Sequence, residues 1–246
     1  MTARRTDNAA QLPRLAFLSA GAAQGLVQAL QPAFEAGGGP PLAGRFGAVG
    51  AMKDALLTAA EACDLFISTD TMVRELIAAG HLAAGSAVPI GHVPTGVAVG
   101  AGAALPDIGS AQALRSALAG ATALYFPDPE RATAGIHFAR VLGELGLTES
   151  TRARWRTYPN GATAMRELAA GGPVGAIGCT QWTEILLTPG VQPVALLPSP
   201  YGLATLYTAA VAARAQSPAA AARLATWLGA TEHAALRARC GFEATA

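Results

Sequence analysis

Charged residues are scarce in this chain. They make up 13% of the 246 residues, whereas hydrophobic residues make up 52% and aromatic residues 6%. So apolar a composition excludes a disordered chain and predicts a compact fold. Because the formal net charge is only +1, nothing favours a nucleic-acid partner or an anionic membrane surface. Any anion site must therefore be local, built from backbone donors and a few side chains.

Long hydrophobic runs and closely spaced cysteines are also missing. No apolar run reaches the roughly 18–20 residues that cross a bilayer, so no membrane insertion is expected. The three cysteines, Cys63, Cys179 and Cys240, lie far apart without a C-x-x-C spacing, which argues against a zinc or iron–sulfur site. We therefore expect neither a metal nor a cofactor.

The N-terminal segment has two interpretations. Residues 1–11 are polar and carry Arg4 and Arg5, and residues 12–23 resemble a short apolar core followed by small residues, as in a signal peptide. Arg14 interrupts that core, however, and residues 14–19 are better interpreted as the first strand of the fold. The compartment, periplasmic or cytoplasmic, is left open.

Residues 123–146, ALYFPDPERATAGIHFARVLGELG, contain the most informative unit of the sequence. An apolar run ends at Phe126, a turn and a small-residue loop follow, and from Ile136 apolar residues recur at helical spacing. The loop leaves several backbone N–H groups unpaired at the positive end of a helix dipole, which favours an anion. We expect this unit to be used several times around one cleft.

The remaining pattern alternates strands and helices. Residues 14–80 predict β-α-β-α-β-α, and therefore a parallel sheet flanked by helices. Further along, Asn160 and Gly161 mark a helix start, and residues 174–178 predict a buried strand. Residues 88–102 and 204–213 interrupt this rhythm and are interpreted as two crossings between lobes. The predicted first lobe comprises residues 14–90 and 206–246, the second comprises residues 91–205, and a ligand cleft lies between them.

Several segments carry a resemblance to a known family. They are FLSAG (residues 17–21), RFGAVG (45–50), DLFISTD (64–70), DP with AG (128–129 and 134–135), GAI (175–177) and LYTA (206–209). This set resembles the molybdate-binding proteins of ABC transporters. The resemblance implies an α/β, two-lobed, type II periplasmic-binding-protein fold, with a mostly parallel sheet flanked by helices in each lobe and two crossover strands. It also implies an oxyanion site near the following residues: Gly21, Ala22, Val49, Gly50, Ala134, Ile177 and Tyr207.

One departure from that family concerns the ligand. Molybdate binders resembling this chain place serine hydroxyls in the first two loops, where this chain has Gly21 or Ala22 and Val49 or Gly50. Other segments are GVAV (residues 96–99) with PDI (106–108), AGIHF (134–138) and CTQ (179–181). They are similar to a branch associated with small organic anions, some members of which resemble aconitate isomerase. Planar carboxylates suit loops that offer pairs of N–H groups, with Lys53 or Arg131 as charge-assisted donors.

The candidate residues support two hypotheses about function. Ser19, Thr133 and Gln181 complete the set of candidate ligand-binding residues, and His137 is the candidate for proton transfer, with His92 and Tyr207 as alternatives. In the first hypothesis, a solute-binding protein captures a small anion for an ABC permease, either a molybdate-like oxyanion or a small organic carboxylate, and the departure in the two loops favours the carboxylate. In the second, an isomerase acts on a small polycarboxylate. A third, a cytosolic ligand sensor, lacks an attached DNA-binding segment.

Overall fold

The structure is a computed structural model that describes residues 14–244, and the polar segment 1–11 lies outside it. The described residues form a mixed α/β fold. Its strands are β1 (Leu15–Ala20), β2 (Leu42–Gly47), β3 (Leu65–Thr69), β4 (Val88–Gly100), β5 (Leu124–Pro127), β6 (Trp155–Tyr158), β7 (Ile177–Gln181), β8 (Val191–Leu196) and β9 (Ala204–Val211).

Helices follow most of these strands. The α-helices are α1 (Gln24–Ala36), α2 (Val49–Leu57), α3 (Asp70–Ala78), α4 (Ala111–Gly120), α5 (Thr133–Glu144), α6 (Thr148–Thr151), α7 (Gly161–Gly171), α8 (Trp182–Leu187), α9 (Pro218–Gly229) and α10 (Ala234–Arg239). A 3₁₀ turn, Gly21–Ala23, links β1 to α1. Within residues 14–244, no helix is both long and apolar enough to cross a bilayer.

The strands form one curled sheet in the order β2-β1-β3-β9-β4-β7-β5-β6, and β8 pairs with β4. Parallel pairs join β1 to β2 and β3, and join β5 to β6 and β7. The long strand β4 connects the two parallel groups, because its first half pairs with β9 and its second half with β7 and β8. This arrangement confirms the predicted two-lobed fold with crossover strands.

We call the strands β2, β1, β3 and β9 with their helices the first lobe, and β7, β5, β6 and β8 with theirs the second lobe. Buried side chains form four clusters, which respect this division. Two clusters draw on residues 15–93 and 207–242, and the other two on residues 97–197. The lobe boundaries at residues 90 and 206 stay a prediction.

One predicted strand is displaced along the chain. The sequence predicts a strand over residues 174–178, but β7 begins only at Ile177. Gly175 adopts a positive φ of 82°, and the N–H of Ala176 donates to the carbonyl of Pro173, so residues 173–176 form a turn. The shift matters for the site, because it places Cys179, Thr180 and Gln181 at the carboxyl end of β7.

Candidate functional site

The helix-starting loops of both lobes meet at a small inner cavity. Its volume is about 20 Å³, room for roughly one water molecule. Its walls come from the first residues after β1 and β2, the starts of α5 and α7, the end of β7, the first turn of α8 and the middle of β9. The lining residues include Gly21, Ala22, Val49, Thr133, Ala134, Asn160, Gly161, Gln181, Glu184 and Tyr207. The predicted convergence of loops on one place is therefore present.

A larger outer cleft opens beside the inner cavity and has a volume of about 660 Å³. Val49 and Thr133 line both spaces, so the two are neighbours. The starts of three helices face the outer cleft, namely α2, α3 and α5. Its lining residues include Val49, Gly50, Lys53, Asp54, Thr69, Thr71, Arg131, Thr133, His137, Arg140 and Thr205.

Two predicted ligand-binding residues lie away from this region. Ser19 is fully buried in β1, and its hydroxyl donates to the carbonyl of Ala20 at 2.9 Å. Ile177 begins β7, opposite Leu124 of β5, and packs in a core cluster. Because the cleft follows the carboxyl ends of the strands, the start of β7 cannot contribute to it. Every other predicted ligand-binding residue lines one of the two spaces.

Arg131 already has a partner across the cleft. Its guanidinium forms an ion pair with Asp54 of α2, and its carbonyl accepts a hydrogen bond from the N–H of Gly50 at 3.2 Å. Arg131 therefore links the two lobes in this conformation, rather than presenting a free charge to a ligand. The N–H of Gly50 is occupied in the same way.

Lys53 is the only lysine of the chain, and it projects from α2 into the outer cleft. It forms no ion pair with any residue in the described range 14–244. Thr205 also lines this cleft, and its buried hydroxyl oxygen has no hydrogen-bond partner among the described residues. A lysine without an ion pair and a threonine with an unpartnered hydroxyl group thus line the same cleft.

Both ring nitrogens of His137 have hydrogen-bond partners. Nε2 lies 2.8 Å from the carbonyl of Tyr201, and Nδ1 lies 3.0 Å from the guanidinium of Arg140. Because a carbonyl only accepts, Nε2 carries the proton and Nδ1 accepts from Arg140. Burial lowers the pKa of His137 from its ordinary value, and the Tyr201 carbonyl offsets this only in part. A neutral ring with both nitrogens occupied does not suit the predicted proton transfer.

Glu184 is the principal residue that the sequence reasoning missed. It lies in the first turn of α8 and is only 5% exposed. Its Oε2 accepts a hydrogen bond from Thr180 Oγ1 at 2.6 Å. Burial raises the pKa of Glu184, while Thr180 and the backbone N–H groups of Ala162, Gln181 and Gly161 work in the opposite direction. The signal in the sequence that could have identified Glu184 was a lone glutamate just after an apolar strand.

Gln181 and Tyr207 complete the inner cavity. Gln181 is 3% exposed, and neither atom of its side-chain amide has a hydrogen-bond partner among the described residues. Tyr207 is 2% exposed, and the nearby side chain of Thr133 acts to lower its pKa. Burial first, and then the nearby Glu184, raise the pKa of Tyr207. Both predicted residues therefore lie at the convergence of the loops.

Asn160 and Gly161 were recognised in the sequence only as a helix start. The side-chain oxygen of Asn160 caps α7 by accepting from the N–H of Thr163 at 2.9 Å. The cap directs the first turn of α7 towards the inner cavity. Within residues 14–244, no group of three or more His, Cys, Asp or Glu side chains could hold a metal ion.

Solved structures with this architecture include two binding proteins for inorganic oxyanions. The periplasmic molybdate-binding protein of Azotobacter vinelandii is 18% identical, with a TM-score of 0.78 over 94% of this chain and 100% of that chain. The sulfate-binding protein of Mycobacterium tuberculosis H37Rv is 17% identical, with a TM-score of 0.71 over 93% and 86% of the two chains. At these identities, the likeness shows the fold alone.

Sequence comparison adds one curated relative and one family. An aconitate isomerase from Pseudomonas sp. is 28% identical over 227 residues, which cover 89% of this chain and 84% of that protein. The model of the family described as bacterial extracellular solute-binding protein matches residues 15–243. This match spans nearly all of the described chain and agrees with the two-lobed fold. The chain therefore belongs to the family of bacterial extracellular solute-binding proteins.

Proposed function

We propose that this solute-binding protein of the ABC-transporter type captures a small organic carboxylate in its outer cleft and delivers it to an ABC permease. One observation carries the proposal: the only lysine of the chain, without an ion-pair partner among the described residues, faces a cleft of about 660 Å³. This volume is within the usual range of small-molecule sites.

The surroundings of Lys53 favour a carboxylate. An ε-ammonium group forms charge-assisted hydrogen bonds with carboxylate oxygens, each stronger than a neutral hydrogen bond. The starts of α2, α3 and α5 add positive dipole ends to the same cleft. The unpartnered hydroxyl of Thr205 offers a further donor. A ligand with two or three carboxyl groups could use these donors together.

Closure of the lobes supplies the rest of the mechanism. The pair of Arg131 with Asp54 and the hydrogen bond from Gly50 to the Arg131 carbonyl both span the cleft. A hinge movement that breaks them opens the outer cleft, and their reformation encloses the ligand. The same contacts open again when the ligand is released to the permease.

A thermal-shift panel tests the proposal. Citrate, cis-aconitate and tricarballylate are compared with molybdate, tungstate and sulfate at equal ionic strength adjusted with sodium chloride. A cognate carboxylate at about 100 times its Kd is expected to raise the Tm by roughly 5 °C or more. Stabilisation by the inorganic oxyanions alone would contradict the proposal.

Isomerisation of a small polycarboxylate is the second candidate function, supported by the likeness to aconitate isomerase. In that reaction a proton leaves one carbon, the double bond moves, and a proton returns to the other carbon. Incubating the protein with cis-aconitate and following the trans isomer by liquid chromatography tests it. Turnover would favour the enzyme, and its retention in His137→Ala would exclude His137 as the proton carrier. Binding without turnover would favour the receptor.

A further inference from the structure

We propose that the carboxyl group of Glu184 is a built-in occupant of the inner cavity, which fills this space and excludes tetrahedral inorganic oxyanions from it. The inference concerns the inner cavity alone and stands without the proposed carboxylate ligand of the outer cleft. It makes Glu184 a residue that determines specificity.

The position of the carboxyl group is the first argument. It lies between the turn that follows β1 in the first lobe and the start of α7 in the second lobe. A Cβ atom added at Gly21 would come within 2.6 Å of Glu184 Oε1, and one added at Gly161 within 1.9 Å of Oε2. Both glycines thus leave room for this carboxyl group, which occupies the place where the loops converge.

The remaining space is the second argument. With Glu184 in place, the cavity has a volume of only about 20 Å³, enough for roughly one water molecule but not for a tetrahedral oxyanion. Charge adds to this exclusion, because an ionised Glu184 would repel a dianion in a region of low dielectric constant. An oxyanion could enter only if the carboxyl group were absent.

The unpartnered amide of Gln181 is the third and independent argument. A buried amide group without a partner is costly, and such groups normally meet a water molecule or a ligand. Gln181 lines the cavity beside Glu184, and only 3% of its surface is exposed. Without the Glu184 carboxyl group, this amide nitrogen and the N–H groups at the start of α7 would face an anion-sized space.

Substitution of Glu184 by alanine removes one methylene and the carboxylate, which together have the size of acetate. Wild type, Glu184→Ala and Glu184→Gln are titrated with acetate, molybdate and sulfate, by calorimetry and by thermal shift at constant ionic strength. We expect no response from wild type. The Gln variant is also expected to stay silent, since it keeps the cavity filled without the charge. In Glu184→Ala, we expect the Tm to rise by about 5 °C or more with at least one of the three anions.

Two results would overturn the inference. One is tight binding of molybdate or sulfate to the wild-type protein. The other is a folded Glu184→Ala variant, with unchanged circular dichroism, that responds to none of the three anions. If Glu184→Ala folds poorly alone, acetate is expected to restore folding, and Glu184→Ser, which vacates most of the same space and keeps a polar side chain, must show the same gain. Failure of both variants to gain anion-dependent stability counts against the inference.

Discussion

Lys53 is the residue on which ligand binding depends most in this account. Replacing it by methionine keeps most of the length of the side chain and removes the charge. A hydrogen bond to a charged group contributes about 1.5–3 kcal/mol, so we expect Lys53→Met to weaken carboxylate binding roughly 10- to 100-fold. Isothermal titration calorimetry with the ligand found in the thermal-shift panel measures this change.

A matched control for that substitution is Arg239→Met. Arg239 is exposed on α10 and lines neither of the two spaces of the cleft. The Arg239→Met substitution removes the same unit of positive charge from the protein. The affinity of this variant for the carboxylate should stay within a factor of about two of wild type, since surface charges interact weakly. Equal losses in both variants would indicate a general electrostatic effect instead of a contact with Lys53.

Glu184 predicts a specific dependence of stability on pH. Its pKa is raised by burial, so the folded state holds the proton more tightly than the unfolded state. The stabilisation is present below the unfolded pKa and is lost as the pH rises through the folded pKa. Wild type should therefore lose unfolding free energy relative to Glu184→Gln as the pH rises above the ordinary pKa of a glutamate, by roughly 1.4 kcal/mol per unit of pKa shift.

Urea unfolding of wild type and Glu184→Gln at a series of pH values tests the sign of this pH dependence. Tyr207, the other titratable group near Glu184, has a raised pKa and therefore stays protonated throughout. A constant difference between the two proteins would show that Glu184 has an ordinary pKa, and the reverse slope would show that its charged form is favoured by folding.

At the residue scale, the sequence predicted the loops better than the side chains. Small residues such as Gly21 and Ala134 mark tight strand-to-helix turns wherever they occur, so their place near the cleft followed from local pattern. The pairing of Arg131 with Asp54 depends on residues 77 positions apart. The role of Glu184 depends on the packing of α8 against the first lobe, which no local pattern encodes.

At the scale of single elements, the start of α5 is pressed against the end of β5. A Cβ atom at Gly135 would lie 2.2 Å from the carbonyl oxygen of Asp128 and 2.3 Å from that of Pro127. These are backbone atoms, which cannot rotate away. We therefore expect Gly135→Ala to lower the unfolding free energy by at least the 1–3 kcal/mol typical of overpacking, as measured by urea unfolding.

Gly143→Ala is the control within the same helix. Gly143 is exposed near the end of α5, and its Cβ would meet only Thr148 Oγ1 at 3.7 Å. Alanine is preferred to glycine in a helix by up to about 1 kcal/mol, so this variant should be as stable as wild type or more so. Comparable destabilisation at both positions would contradict the close packing at Gly135.

The elements themselves were largely predictable, with boundaries as the main error. The apolar runs of β1, β3 and β5 indicated strands, and the glycines after the helices indicated where those helices end. The start of β7 was misplaced because residues 174–178 are apolar enough for a strand, whereas Gly175 turns the chain and leaves Val174 93% exposed. That displacement also explains why Ile177 lines neither of the two spaces.

At the scale of the whole molecule, Glu184 and Gly21 provide a contact between α8 and the first lobe. Gly21→Ala places a Cβ atom within 2.6 Å of the Glu184 carboxyl group and should cost about 1–3 kcal/mol. In the Glu184→Ala background the same change should cost close to nothing. A double-mutant cycle of unfolding free energies measures the coupling, and additive effects would contradict the contact.

The topology of the molecule could be predicted from the order of its strands and helices. Alternating strands and helices imply parallel pairing, and the long apolar strand β4 was recognisable as a crossing because it breaks that alternation. Whether the cleft is open or closed could not be predicted from the sequence. Its closure depends on contacts between the lobes, such as the hydrogen bond from Gly50 to Arg131, which form only after both lobes have folded.

The central claim is that the lobes enclose a small organic carboxylate next to Lys53. Reductive methylation with ¹³C-formaldehyde labels this single lysine side chain and the N-terminal amine and preserves their charge. The dimethylamine NMR signal that is absent from Lys53→Met belongs to the lysine and reports on the cleft. We predict that the signal shifts and saturates as the stabilising carboxylate is added, and that molybdate leaves it unchanged. A carboxylate that binds by calorimetry without moving this signal would contradict the account.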